Sequence, residues 1–155
     1  MSPHVATLCH LNMGAPAFGI APGQAVAHVT LRSDTDDGLA VSEDALHDWI
    51  TAQTAKLDFE ITRHDHFNAT LNDAVAVAHV DAARADLGMA TAAFPFPMRP
   101  SEDFGAFSAH AKCGLFFIGA GETHAPLHDP AYDFPDAIIT PSVALFRAIL
   151  ARITA

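Results

Sequence analysis

The feature that most constrains this chain is the run Cys113-Gly-Leu-Phe-Phe-Ile-Gly-Ala120, eight apolar or glycine residues without a charge. A run of this length is too short to cross a bilayer, which takes ~20 residues. Its composition instead suits a strand covered on both faces, as in an α/β sheet. Such a strand needs neighbours, and the flanking sequence supplies few. Before it stand Pro95, Pro97 and Pro100, and after it a polar loop runs from Gly121 to Phe134. The second half therefore reads as helix, loop, short helix, buried strand, loop and helix. Asn72 is expected to cap a helix through Leu87 that Gly88 closes. Ser101 is expected to cap the short helix that begins at Glu102. Thr140-Pro141 opens a terminal amphipathic helix carrying Val143, Phe146, Ile149, Leu150 and Ile153.

The first half has a different grammar. Val5 to Leu11 and Ala25 to Leu31 alternate well enough for two strands, and Gly14, Pro16, Gly19, Pro22 and Gly23 break the long loop between them. Asp36 and Asp37 follow the N-cap candidates Ser33, Asp34 and Thr35. Leu39, Leu46, Trp49, Ile50 and Leu57 then recur at helical spacing, which predicts a helix from about Asp36 to Leu57. Asp58 to Phe67 reads as a third, half-buried strand. The expected fold is thus α+β with an α/β part: a partial sheet with one helix over residues 1–68, then an α/β segment over residues 69–155.

Composition narrows the function. The 18 acidic residues against 8 basic ones give a net charge of −10. A nucleic acid or an anionic membrane repels that field, and Lys56 and Lys112 are the only lysines, so no basic cluster overrides it. Met1-Ser2-Pro3-His4 has no basic stretch leading into an apolar core, which leads to the expectation of a cytoplasmic protein. Cys9 and Cys113 lie far apart and form no C-x-x-C pair, so a zinc ribbon or a redox motif is excluded. The loop from Gly121 to Phe134 holds Glu122, His124, His128, Asp129 and Asp133, a donor set suited to Zn, Mn or Co. Pro126 between the histidines excludes a helical His-x-x-x-His pair. His64 and His66 alternate on one face of the predicted third strand and read as solvated.

Three linked segments resemble one family. They are Ser101-Glu102-Asp103-Phe104, then Gly114-Leu-Phe-Phe-Ile-Gly-Ala-Gly121, then Leu127-His128-Asp129-Pro130-x-Tyr132-Asp133-Phe134-Pro135-Asp136. In this order and spacing, over about residues 97 to 150, they resemble the M20 metallopeptidases and amidohydrolases, nearest to the aminoacylase and hippurate-hydrolase branch. The loop from Gly14 to Pro22 and the following Thr30-Leu31-Arg32-Ser33 resemble part of that family's lid domain, with Gly19 where the family usually has Asn.

The resemblance implies a two-domain hydrolase whose lid mediates homodimerisation. Its substrates are N-acyl amino acids or small peptides, and the amide is cleaved by metal-bound water with a carboxylate as general base. His128 matches the last metal ligand. Glu102 and Asp103 match an acidic pair that supports catalysis from nearby. Arg32 matches a lid arginine that clamps a substrate carboxylate, and Gly19 stands in a substrate-binding loop. The family's upstream metal motifs have no counterpart here: the sequence has no Glu-Glu pair, and neither cysteine has the expected neighbours. One histidine cannot hold a catalytic ion, which takes about three protein ligands. The expectation is therefore a C-terminal fragment that is inactive by itself. Two alternatives stand beside it, a non-catalytic α+β association module and a mononuclear metal binder built on His124 and His128.

Overall fold

A computed structural model describes residues 4–54 and 57–154. Two strands and three α-helices make a mixed α+β architecture: β1 (Val5–Met13), β2 (Ala25–Arg32), α1 (Asp36–Gln53), α2 (Ala74–Asp86) and α3 (Ile139–Ile153). Short 3-10 turns occupy Asp103–Ala109 and Asp136–Ile138. The chain divides into two compact units. One comprises the described residues of Met1–Ala69 and Pro97–Asp103, the other those of Thr70–Phe96 and Phe104–Ala155. No helix among the described residues is long and apolar enough to cross a membrane.

In the first unit β1 and β2 pair antiparallel, from Val5 opposite Arg32 to Met13 opposite Ala25. The register slips between Leu8 and His10, so Cys9 is an extra residue on β1. Before the slip, Ala6 and Leu8 share a face with Leu31 and Val29, while Val5 and Thr7 share the other with Arg32 and Thr30. Val5, Ala6 and Leu31 border a cleft of about 400 Å³ with Val41, Ala45 and Leu46 of α1. Thr35 caps α1, its hydroxyl accepting from the Gly38 amide at 3.1 Å, and Asp36 and Asp37 fill the first turn. The helix stops at Gln53, four residues before the expected Leu57, where the Thr54 hydroxyl donates to the Ile50 carbonyl.

The predicted third strand over 58–67 does not form. The segment pairs with no strand, and Asp65 takes a left-handed φ of 50°, which interrupts the extended backbone. His64 and His66 therefore do not share a strand face. Side chains fasten the segment to α1 instead: Arg63 Nε donates to Glu43 at 2.8 Å, and the Ala69 amide donates to Asp36 at 2.6 Å. Phe59 meets the His47 ring edge-on.

The second unit is built on α2 against α3. Asp73, not Asn72, caps α2, accepting from the Val75 and Ala76 amides at 2.8 and 3.2 Å. Gly88 follows the helix at φ 64°, the left-handed turn expected there. α3 grows directly out of the preceding 3-10 turn, without a side-chain cap. Pro141 falls in its first turn, where the missing N–H has no intrahelical partner to lose. Arg152 pairs with Asp86 across the two helices.

The apolar run Cys113–Ala120 is not a strand. Among the described residues the only strands are β1 and β2, so it has no ladder to join. Asn72 takes the place of a neighbouring strand: its amide nitrogen donates to the Leu115 carbonyl at 2.9 Å, and its oxygen accepts from the Leu115 amide at 2.8 Å. The Asp73 amide adds a bond to the Cys113 carbonyl. Phe116 packs on Phe146 and Phe117 stacks on Phe94, yet Phe117 stays exposed.

Burial is sparse. Ala83, Cys113 and Leu145 are the buried apolar residues among those described. Trp49, Phe18, Phe96, Phe107 and Phe146 all lie in the exposed surface.

Candidate functional site

β2 delivers Arg32 at its C-terminal end, on the face opposite Leu31. The guanidinium Nη1 donates to the Arg99 carbonyl at 3.1 Å and to the Ser101 hydroxyl at 3.0 Å. No carboxylate among the described residues forms an ion pair with it. Nε and Nη2 make no hydrogen bond to a described residue. These two form the edge of the guanidinium that grips a carboxylate with two parallel bonds. Ser101 is thus an acceptor for Arg32 and not the expected helix cap.

Glu102 and Asp103 follow directly. Both are exposed, and neither side chain is hydrogen-bonded among the described residues; Asp103 opens the 3-10 turn. The Arg32–Ser101 bond therefore joins the end of β2 to the segment that carries the acidic pair, 69 residues apart in sequence. Gly19 sits in the hairpin loop at φ 75°, with nothing within 4 Å of where a Cβ would stand. The left-handed region also tolerates Asn better than most residues, so the backbone there accepts either residue.

The second unit carries the loop from Gly121 to Phe134. His128 lies in a tight turn closed by the Asp129 amide on the Pro126 carbonyl at 3.1 Å. Its φ is 70°, and the residue is exposed. Apart from Asp65 it is the one non-glycine among the described residues with positive φ. A side chain in that region costs of order 1 kcal/mol and persists where surrounding structure imposes it. Beyond it Asp129 holds the next turn: its carboxylate accepts from the Ala131 amide at 2.8 Å, and its carbonyl accepts from the Tyr132 amide at 2.9 Å. His124 turns back on its own loop. Its Nδ1 lies 2.8 Å from the Ala125 carbonyl, and its ring stands edge-on to Tyr132.

No family model matches the chain, and no solved structure matches it.

Among the described residues no group of three or more His, Cys, Asp or Glu is arranged to hold a metal ion. Sequence reading missed two arrangements: the docking of Arg32 on Ser101, and the placement of His10 directly opposite His28. The first had no local signal, because it depends on how 97–103 returns to the hairpin. The second hides in the bulge at Cys9, since strict alternation through β1 puts His10 with Leu8 and Ala6 on the face opposite Val5.

Proposed function

We propose that the chain contributes to a metal-dependent amidohydrolase of the M20 type, acting on N-acyl amino acids or small peptides, and is inactive alone. The observation that carries this reading is His128, exposed at φ 70° in the turn that the Asp129 amide closes on the Pro126 carbonyl. Backbone held at positive φ clusters at functional sites, and a metal ligand is the use that the motif suggests for His128.

The chain's described residues do not by themselves fit a catalytic divalent ion (Zn, Mn or Co), because His128 stands without two further ligands. Other polypeptide supplies them and the general base. The roles left to this chain are positional. His128 presents its imidazole. Arg32 offers Nε and Nη2 to the substrate carboxylate while Ser101 and the Arg99 carbonyl fix its orientation. Glu102 and Asp103 place negative charge beside it. The hairpin is the segment through which two copies of the lid associate.

The test is made in the assembled enzyme. His128→Ala removes one metal ion per subunit, measured by mass spectrometry, and most hydrolysis of N-acetyl and N-benzoyl amino acids. Near-normal metal content in that variant refutes the assignment.

The uncovered apolar surface favours a second reading, a non-catalytic α+β association module. That reading requires the chain alone to form a stable, metal-free assembly in sedimentation, with no hydrolase activity on addition of any catalytic partner segment.

A further inference from the structure

We propose that two copies of this chain pair antiparallel through residues 114–120, independently of the hydrolase reading. The bonds already made in the run define its two edges. The Cys113 carbonyl accepts from the Asp73 amide, and Leu115 both donates to and accepts from the Asn72 side chain. Cys113 and Leu115 thus turn their backbone groups to one side. In an extended run successive residues turn theirs to opposite sides. Gly114, Phe116, Ile118 and Ala120 therefore offer theirs on the other side. None of these four makes a backbone hydrogen bond to a described residue, and all four are half-buried. Backbone polar groups in apolar surroundings require partners, and an open edge of this kind accepts a strand.

Charge selects a second copy as that strand. Residues 113–121 carry no charge, with Lys112 directly before them and Glu122 directly after. A twofold axis at Phe117 sets Phe116 opposite the partner's Ile118 and Gly114 opposite the partner's Ala120. It also brings Lys112 to the end at which the partner's Glu122 leaves the run. Lys112 and Glu122 form no ion pair with a described residue, so each is available to the other copy. Parallel pairing sets like charges side by side at both ends instead. The −10 carried by each copy opposes association only at short range, since salt screens it beyond ~8 Å.

Phe117 is 55% exposed and falls on the axis as a non-hydrogen-bonded pair, where cross-strand side chains come closest. Two aromatic rings in that position support the pairing. Asp73 and Asn72 already occupy the opposite edge at Cys113 and Leu115. The assembly therefore closes at two copies and does not extend into a fibre.

Sedimentation velocity of the 155-residue chain over a concentration series measures the assembly, and hydrogen exchange locates it. A monomer–dimer equilibrium is expected. The Phe116 and Ile118 amides gain protection as concentration rises, while the Phe117 amide, on the other edge, does not. Exchange of the end charges tests the register at two exposed positions. Lys112→Glu and Glu122→Lys each create two like-charge contacts per dimer, and each raises the dimer Kd about fivefold. The double variant restores the parent value. Bulk charge cannot mimic this pattern, because the first substitution makes the chain more acidic and the second less so. A chain that stays monomeric up to about 1 mM overturns both the pairing and the association-module reading. A dimer whose protection lies outside residues 114–120, or whose Kd is unmoved by both single variants, overturns the pairing and leaves that reading standing.

Discussion

Exchanging Asn72 for aspartate isolates the contact that substitutes for a missing strand. The wild-type amide makes two bonds to Leu115, one donated at 2.9 Å and one accepted at 2.8 Å. Aspartate keeps the acceptor but puts a second carboxylate oxygen against the Leu115 carbonyl. One net hydrogen bond is worth about 1 kcal/mol, and the repulsion is moderated because both groups reach solvent. The expected loss is about 1–2 kcal/mol at neutral pH. Protonation restores a donor, so facing the carbonyl raises the carboxyl's folded pKa above its unfolded value near ~4. A group raised in this way contributes its stability fully below the unfolded value and loses it as pH rises through the folded one. The Asn72→Asp variant should therefore approach the parent below about pH 4 and fall behind it toward neutrality. Urea unfolding at both pH values measures this, with hydrogen exchange at the Leu115 amide as the local readout. Equal stability of parent and variant across the range, with unchanged exchange at Leu115, refutes the strand-surrogate account.

Two further outcomes follow from packing and backbone. Leu145, on α3 and only 4% exposed, should cost the second unit about 2–4 kcal/mol on truncation to Ala; a change under about 1 kcal/mol in chemical denaturation contradicts its place in the core. Gly19→Asn should alter stability by less than about 1 kcal/mol, because φ is 75° and the space is open. Gly19→Val should be clearly worse, since a β-branched residue resists positive φ; equal damage from both denies the left-handed backbone there.

Local chemistry was legible in the sequence wherever an element could be specified by its own residues. The β1–β2 hairpin follows from alternation and from the glycines and prolines between the strands. The start of α1 follows from Thr35 and the two aspartates, the turn after α2 from Gly88, and α3 from its apolar stripe. Arg32, Glu102, Asp103 and His128 enter as candidates only through the family resemblance of their segments.

What the sequence could not settle was partnership. Cys113–Ala120 and 58–67 have the composition of strands, but a strand exists only when another supplies its hydrogen bonds. In the fold Asn72 and the side chains of α1 take those roles. The bulge at Cys9 was equally invisible to alternation, although one bulged residue reverses every side chain beyond it. The docking of Arg32 on Ser101, 69 residues away, has the same origin: a contact between distant segments has no local signature, and only the tertiary structure decides which donors find which acceptors.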